Sequence, residues 1–177
     1  MIYEPAEDSF LLQKQVKKYS KGKSVLEIGT GSGIQIQTAI KSGAKKILAT
    51  DINEEVLRTL ETKKINFRKS DLFSNISEKF DLIIFNPPYL PEDKREDLES
   101  QLATTGGKNG DEIILKFLEQ SPKHLNNNGK ILLLISSLTP QSRIDKFLIK
   151  LKLSKKKLSE KKLFMEKLEV WELKSTK

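Results

Sequence analysis

At 177 residues, the chain is long enough for one domain with a single hydrophobic core. It has no cysteine and one histidine, which excludes a disulfide framework and argues against a zinc site held by this chain alone. No run of about 18 apolar residues is present, and residues 1–5 lack a basic segment followed by an apolar one. The sequence therefore predicts neither a membrane span nor a secretory signal, and it indicates a cytoplasmic protein.

The net charge of +8 is unevenly distributed. Residues 151–177 hold nine lysines and four glutamates, so they carry a surplus of five positive charges, and the first 150 residues carry only three. A basic carboxyl-terminal part favours RNA-associated or ribosomal partners. We favour the alternative, a solvated, lysine-rich surface of the kind found in charge-rich thermostable proteins.

The first predicted element is a helix near the amino terminus. Pro5 suits the first turn of a helix, and the acids Glu7 and Asp8 favour the positive end of the helix dipole. Five apolar residues then form a stripe at helical spacing: Phe10, Leu11, Leu12, Val16 and Tyr19. The pattern predicts a helix that ends near Ser20 and packs across a sheet.

A glycine-rich turn follows the first predicted strand, residues 24–28. Residues 29–33 read Gly-Thr-Gly-Ser-Gly, and they lead into a helix predicted to run from Gly33 to about Ser42. Such a turn brings the backbone and the free N–H groups of a helix start close to a ligand. The Gly-x-Gly-x-Gly spacing after the acid Glu27 departs from the dinucleotide fingerprint. It favours a cofactor with a nucleoside but no pyrophosphate, or it is only a tight turn.

Acids end the next two predicted strands. Asp51 closes the strand at residues 46–51, where a carboxylate can accept both hydroxyls of a ribose. Its alternative role is to cap the helix predicted at 53–63, although Asn53 can fill that role. Asp71 and Leu72 follow the strand at residues 65–70, where an acid can meet the amino group of an adenine or merely serve a turn.

The fourth predicted strand, residues 81–85, runs into Asn86-Pro87-Pro88-Tyr89. The two prolines hold the backbone extended, so a rigid strand presents one amide and one ring at its end. The side-chain oxygen of Asn86 and the carbonyl of Pro87 can accept hydrogen bonds from a planar NH2 group, on which Tyr89 can stack. Such positioning suits methylation of a planar nitrogen. An ordinary proline turn is the alternative.

Glu27, Asp51, Asp71 and Asn86 lie at the ends of four consecutive predicted strands. Because ligands of open α/β sheets bind at the carboxyl ends of the strands, we expect these side chains to share one edge and one site. This arrangement makes a chance origin of each residue less plausible than a common site.

The later part of the chain contains few candidate site residues. Residues 90–110 form a long polar stretch with Gly106, Gly107 and Gly110, which suggests a lid over a substrate, a disordered loop, or a loop hiding a short helix at 95–102. We interpret His124 as a surface residue and Trp171 as a core residue. The remaining predictions, in chain order, are a helix at 112–120 capped by Asp111, a turn at 126–129, a strand at 130–135, a helix from 140 to 151, and an antiparallel pair of strands at 153–163 and 164–173.

The order of these motifs resembles the class I S-adenosylmethionine-dependent methyltransferases. Asn-Pro-Pro-Tyr narrows the resemblance to enzymes that act on amide or base nitrogens. The segment Tyr-Glu-Pro-Ala-Glu-Asp-Ser at residues 3–9, with Gly-Gly-Lys-Asn-Gly at 106–110, is similar to the archaeal and eukaryotic branch of HemK-type release-factor glutamine methyltransferases. A relative's usual aromatic residue before the Gly-Gly segment is replaced by Thr104-Thr105, which leaves details of the lid open.

The resemblance implies an α/β Rossmann-like fold with a seven-stranded, mostly parallel sheet, an antiparallel C-terminal strand and helices on both faces. It implies a single methyltransferase domain over residues 1–177, in which residues 1–23 cover the cofactor and residues 90–110 close over the substrate.

The resemblance also implies roles for individual residues. Binding of S-adenosylmethionine is implied for Ser9, Glu27, Gly29, Gly31, Asp51, Asp71 and Leu72. Of these, Ser9, Glu27 and Gly29 would meet the methionine part, Asp51 the ribose, and Asp71 with Leu72 the adenine. Substrate binding is implied for Asn86, Pro87, Pro88 and Tyr89, with catalysis by Asn86, Pro87 and Tyr89.

The implied reaction is N5-methylation of the glutamine in the Gly-Gly-Gln motif of a class I peptide chain release factor. A small zinc-binding activator subunit is the implied partner, paired with the edge strand at residues 65–70, where an apolar pattern needs cover. Methylation of N6 of adenine in RNA or DNA is the alternative, although no RNA-binding domain is appended and nucleic acid would be met only indirectly. A non-catalytic nucleoside-binding subunit is a third possibility, against which the intact Asn86 and three acids argue.

Overall fold

A computed structural model describes residues 4–60, 65–92 and 104–176. Within these residues the chain forms seven strands and five α-helices. The strands are β1 Ser24–Ile28, β2 Lys46–Asp51, β3 Asn66–Lys69, β4 Phe80–Phe85, β5 Leu125–Ser136, β6 Leu153–Leu163 and β7 Glu166–Ser175. The helices are α1 Glu7–Tyr19, α2 Ile34–Lys41, α3 Glu54–Thr59, α4 Glu112–Gln120 and α5 Gln141–Lys150, with a short 3-10 helix at Ser121–His124.

The strands form one sheet in the order β3-β2-β1-β4-β5-β7-β6. Pairing is parallel from β3 through β5, and β7 is antiparallel to both β5 and β6. The predicted mostly parallel sheet with an antiparallel C-terminal strand is therefore confirmed. Strand order reverses at β1, which lies between β2 and β4, so the ends of β1 and β4 flank the point where open α/β sheets bind ligands.

Alternate residues of each central strand face opposite layers of helices. On β4, Ile83 and Phe85 pack in the core cluster that contains Phe117 of α4, whereas Leu82 and Ile84 pack in the cluster that contains Leu12 of α1. All six are nearly inaccessible to solvent, and full burial of one such side chain contributes about 1.5–3 kcal/mol. Two cores, one on each face, thus fix the sheet whose edge carries the predicted site.

Three local predictions were wrong or incomplete. Phe10 was expected in the apolar stripe of the first helix, but its side chain is 47% exposed because α1 turns that position away from the sheet. Asp111 occupies the N-cap position of α4 without capping it, since its buried carboxylate pairs with Arg143 at 3.0 Å. His124 is half-buried instead of exposed, with its ring stacked on Phe73 at 4.6 Å between centroids. Trp171 is buried as expected.

The predicted turn at residues 126–129 is instead a bulge within β5. Phe80 pairs with Leu125 and Leu82 pairs with Lys130, so Asp81 alone faces the extra residues. Asp81 accepts hydrogen bonds from the side-chain amide of Asn126 at 2.9 Å and from the backbone N–H of Ser24 at 2.8 Å. These bonds hold the pKa of Asp81 below its usual value and tie together β1, β4 and β5 at the edge opposite the site.

Candidate active site

A cleft of about 510 Å³ lies at the carboxyl ends of β1 to β4. This volume is in the range of small-molecule and cofactor sites. The structure brings every predicted site residue into its lining: Ser9, Glu27, Gly29, Gly31, Asp51, Asp71, Leu72, Asn86, Pro87, Pro88 and Tyr89. The expectation that the four strand ends share one site is met in the geometry.

Glu27 lies at the floor of the cleft, 3% exposed. Burial raises the pKa of Glu27 to about 8, although the hydroxyl of Thr30 donates a hydrogen bond to its Oε2 at 2.7 Å and lowers it in part. The nearby carboxylate of Asp51 raises it further. A buried carboxylate of this kind is a site for a cationic group, since a positive charge close by would return it to the ionised form.

Asp51 is held by the backbone on both sides. Its Oδ2 accepts the N–H of Gly31 at 3.1 Å, and its Oδ1 accepts the N–H of Asn53 at 2.9 Å. Asn53 in turn accepts the N–H of Glu55 at 3.0 Å, so Asn53, not Asp51, serves the first turn of α3. Asp51 is therefore not simply the cap of α3. Its carboxylate is held beside the glycine turn.

The turn after β3 places Asp71 and Leu72 in the cleft wall. Ser70 donates its hydroxyl to the carbonyl of Leu72 at 2.9 Å, and Ser74 accepts the N–H of Asp71 at 3.1 Å. Leu72 has φ 47°, which is uncommon for a residue with a branched side chain. Strained positions of this kind cluster at binding sites, and this one puts an apolar side chain beside an acid.

The glycines of residues 106–110 pack directly against the Asn86–Tyr89 backbone, and we call this close contact the clasp. A side chain added at Gly106 would lie 2.7 Å from the carbonyl of Pro88, and one at Gly110 would lie 2.6 Å from the carbonyl of Tyr89. The backbone of Leu90 also exchanges hydrogen bonds with Thr104 and Gly106, at 2.9 Å each. These residues must therefore be glycine for the two segments to approach as closely as they do.

Contacts from α1 complete the cleft. The side-chain amide of Asn86 donates to Oδ2 of Asp8 at 3.1 Å, and Gln35 donates to the carbonyl of Ser9 at 2.8 Å. Two acceptors are left buried without a hydrogen-bond partner in the lining, Oδ1 of Asn86 and Oε1 of Gln35. Asp8 and Gln35 were missed as site residues in the sequence, although Asp8 lies within the motif at residues 3–9.

The cleft fits S-adenosylmethionine by its donor and acceptor set. That cofactor carries a sulfonium, an ammonium and a ribose, and the cleft offers the acids Glu27 and Asp51 and the unpaired oxygen of Gln35. The chemistry it supplies when bound is an electrophilic methyl group.

Two predicted segments lie partly outside the described residues: residues 93–103, the middle of the predicted lid with its short helix, and residues 1–3, which include the first residue of the motif at 3–9. In the part of the chain that the structure covers, no cluster of acids and histidine could hold a metal ion, and no helix is long and apolar enough to cross a bilayer.

Comparison with known proteins gives a consistent result. Residues 7–162 match the model of the methyltransferase small domain family. A Methanocaldococcus jannaschii protein, provisionally named a protein N5-glutamine methyltransferase, is 45% identical over 78% of this chain and 74% of its own length. The release factor glutamine methyltransferase of Streptococcus pneumoniae is 34% identical over 62% of this chain and 44% of its own length.

Among solved structures, the fold matches the Mtq2–Trm112 complex of E. cuniculi, described as responsible for methylation of the translation termination factor eRF1. The TM-score is 0.80, with 24% identity over 99% of each chain. At that identity the likeness establishes the fold alone.

Proposed function

Because the chain belongs to the methyltransferase small domain family, and within it to the protein N5-glutamine methyltransferases, we propose that it methylates the glutamine of a Gly-Gly-Gln motif in a class I release factor. The chain is an S-adenosylmethionine-dependent methyltransferase. The proposal concerns its substrate, its site residues and its partner. A role in translation termination would place the enzyme in the cytoplasm.

The unpaired side-chain oxygen of Asn86 is the observation that supports methylation of an NH2 group. Its Oδ1 is buried in the cleft lining without a hydrogen-bond partner, although buried polar groups are nearly always paired. A substrate NH2 group would supply the missing donor. The amide nitrogen that accepts the methyl group becomes positively charged as the new bond forms, and a fixed carbonyl dipole stabilises that charge more strongly than the neutral ground state.

The other residues of the motif serve the same substrate group. The carbonyl of Pro87 accepts a second hydrogen bond from the NH2, and the ring of Tyr89 stacks on the planar amide. Two acceptors and a stacked ring fix the nitrogen in the direction of the methyl donor, and positioning of this kind lowers the barrier without a general base. After transfer the methylated nitrogen is positively charged and strongly acidic, so its proton is lost to solvent water.

Cofactor binding follows the cleft from α1 to β3. We assign the methionine part to Ser9, Glu27 and Gly29, with Gly31 close by. Asp51 takes the ribose, and Asp71 with Leu72 takes the adenine. Helix α1 supports the proposed covering role of residues 1–23, since Asp8 and Ser9 both line the cleft.

The lid proposed at residues 90–110 is anchored at both described ends. The bonds of Leu90 to Thr104 and Gly106, and of Glu92 to Gly107 at 3.1 Å, fix its base to the substrate motif.

Two features of the surface favour a protein substrate over nucleic acid. Four of the seven lysines in β6 and β7 form ion pairs with carboxylates: Lys155 with Asp145, Lys157 with Glu160, Lys161 with Glu7 and Lys167 with Glu169. Paired lysines of this kind offer less to a phosphate backbone than free ones. Large apolar side chains are also exposed on the cleft side of the sheet: Phe10, Ile52, Leu138, Phe164 and Met165.

A small activator subunit is part of the proposal. The solved Mtq2 relative is a complex with Trm112, and β3 here forms an edge of the sheet, paired among the described residues only with β2. Ile65, which precedes β3, is buried, and Phe67 within β3 is half-buried, so a partner strand would find both backbone groups and apolar side chains to cover. We assign the partner as a zinc-binding protein that pairs along residues 65–70.

The test is one assay with several acceptors. Labelled S-adenosylmethionine is offered with the release factor, a Gly-Gly-Gln peptide, rRNA, tRNA and DNA, each with and without the activator. We expect label at the glutamine of the release factor and of the peptide, none on nucleic acid, and only a small residual rate with Asn86→Ala. Label on nucleic acid but not on protein would overturn the proposal in favour of adenine methylation, which the same Asn-Pro-Pro-Tyr geometry permits.

A further inference from the structure

The carboxylate of Asp8 has no place in the assignments above, yet it lies against the substrate motif. We propose that Asp8 is a positioning residue that holds the amide of Asn86 with its Oδ1 towards the substrate nitrogen and polarises that oxygen. This rests on the proposed function only in that Asn86 must meet a planar NH2 group, whether of glutamine or of adenine.

The fold brings the two residues together from 78 positions apart. Along β4, Leu82 and Ile84 face the core on the α1 side, so the next residue of that alternation, Asn86, also points towards α1. Asp8 lies in the first turn of α1 and is 3% exposed. The hydrogen bond of 3.1 Å between them therefore follows from strand alternation and helix docking, not from a flexible surface contact.

The chemistry of the pair fixes which end of the amide faces the cleft. An ionised carboxylate can only accept hydrogen bonds, so it must meet the NH2 end of Asn86 and never its oxygen. Turning the amide over would place two oxygens face to face in a buried site. Asp8 thus leaves Oδ1 as the end presented in the cleft, which agrees with its being buried and unpaired.

Asp8 is itself held in place. Its other oxygen, Oδ1, accepts hydrogen bonds from the backbone N–H and the hydroxyl of Ser9. The carboxylate also lies near the amino terminus of α1, where a negative charge is favoured. The same aspartate thereby links the residue assigned to the cofactor with the residue assigned to the substrate.

A carboxylate does more than an uncharged acceptor would do in this position. A charge-assisted hydrogen bond to the Asn86 NH2 draws electron density towards Oδ1, which strengthens its bond to the substrate. The negative charge also favours the nitrogen that becomes positive during transfer. Orientation alone would survive replacement by asparagine, whereas polarisation would not.

The test compares two variants on whichever acceptor the wild type methylates. We expect Asp8→Ala to lower kcat by roughly 10²-fold, and Asp8→Asn, which can still accept the Asn86 N–H, to lower it by roughly tenfold. The KM for the methylated acceptor and the Kd for S-adenosylmethionine should change by less than about threefold. Glu7→Gln, a change to a half-exposed carboxylate in the same turn, serves as the matched control and should keep the wild-type kcat.

A double-variant cycle decides whether Asp8 acts through Asn86. In the Asn86→Ala background, Asp8→Ala should cause no further loss of the residual rate. If the losses of kcat in the two single variants multiply in the double variant, the proposal is overturned. A fall in cofactor affinity as large as the fall in kcat would also overturn it. If the wild type methylates nucleic acid alone, the release-factor assignment fails while the cycle still tests Asp8.

A final measurement needs no catalytic turnover. It uses Asp8→Asn, so it remains possible if the alanine variant folds poorly. In protein labelled with 15N at asparagine, the side-chain NH2 signals of Asn86, identified by their loss in Asn86→Ala, should shift in Asp8→Asn and not in Glu7→Gln. Exchange of the Asn86 amide protons with solvent should also be faster in Asp8→Asn. Unchanged signals and exchange would overturn the proposal.

Discussion

The hydroxyl of Thr30 donates to Oε2 of Glu27 at 2.7 Å, which ties the acid at the end of β1 to the glycine turn that follows it. The bond keeps a carboxylate in a nearly dry site, and it does not compensate for the lost water, because burial raises the pKa of Glu27 to about 8. Glu27 is therefore mostly protonated in the ligand-free protein at neutral pH. Binding of a cation beside it must release that proton.

We expect the affinity for S-adenosylmethionine to rise by about tenfold between about pH 6.5 and about pH 8, because less work is then needed to ionise Glu27. The gain should level off above that range, where Glu27 is already ionised and the ammonium of the ligand begins to lose its proton. Calorimetry in two buffers of different ionisation enthalpy would show proton release at pH 7. Affinity that falls with pH over this range would contradict the assignment.

Glu27→Gln gives the matching prediction for stability. The folded pKa of about 8 lies above the usual value of 4.5, so wild-type Glu27 costs no stability below that usual value and progressively more as the pH rises to about 8. The variant, which has no charge to bury, should gain stability relative to the wild type across this window and keep a constant advantage above it. Chemical unfolding of the ligand-free proteins at several pH values would measure the difference.

Asp51→Ala removes the acceptor of two backbone N–H groups as well as the proposed ribose contact. We expect cofactor binding to weaken by about 1.5–3 kcal/mol, the scale of a lost hydrogen bond to a charged group. Asp51→Asn should lose less, because its side-chain oxygen can still accept one of the N–H groups of Gly31 and Asn53. Unchanged affinity of the alanine variant by calorimetry would count against the ribose assignment.

Much of the fold follows from the sequence, since each buried parallel strand is a short apolar run bounded by turn residues. The bounds of β1, β2, α4 and β6 coincide with the predicted ones, and the antiparallel position of β7 was also predicted. The sheet edge that carries the site could be predicted from the same strand pattern. Acids and an amide placed at the carboxyl ends of parallel strands must meet at one edge.

What the sequence did not predict depends on contacts between distant segments. The pairing of Asp8 with Asn86 needs the docking of α1 on the sheet, and the pairing of Asp111 with Arg143 needs α5 beside α4. The Asn-rich segment at 126–129 carries a local turn signal, but only the neighbouring strand shows that it is a bulge. The local sequence pattern predicts each helix or strand, whereas the partners of these side chains depend on how the elements pack together.

Gly106→Ala tests the clasp on the substrate motif. An added Cβ would lie 2.3 Å from the carbonyl of Gly110 and 2.7 Å from that of Pro88, so the backbone of one segment must move. We expect a loss of about 1–3 kcal/mol in stability and a fall in kcat, with cofactor affinity within about threefold of the wild type. These follow from denaturant unfolding, initial rates and calorimetry.

Gly22→Ala is the control for that change. It introduces a side chain at φ 71° with nothing within 4 Å, so it strains the backbone far from the cleft. It should lower stability and leave kcat unchanged. Equal kcat in both variants would show that the clasp on Pro88 does not matter for transfer.

The turn between β6 and β7 tests recognition of a protein substrate. Phe164 and Met165 are 94% and 83% exposed, and because β6 is parallel to β5 they lie on the cleft side of the sheet. The double change Phe164→Ser with Met165→Ser should raise KM for the intact release factor by roughly five- to tenfold. It should leave KM for a short Gly-Gly-Gln peptide unchanged, since a peptide reaches only the cleft.

Ile149→Ser supplies the matched control, since Ile149 is 77% exposed near the carboxyl end of α5, at the opposite edge of the sheet. We expect that variant to leave KM unchanged for both substrates. A parallel rise in KM for the peptide and the intact factor in the turn variant would mean that the turn acts on the cleft itself. No rise for either would remove the apolar turn from substrate recognition and leave the specificity to Asn86–Tyr89.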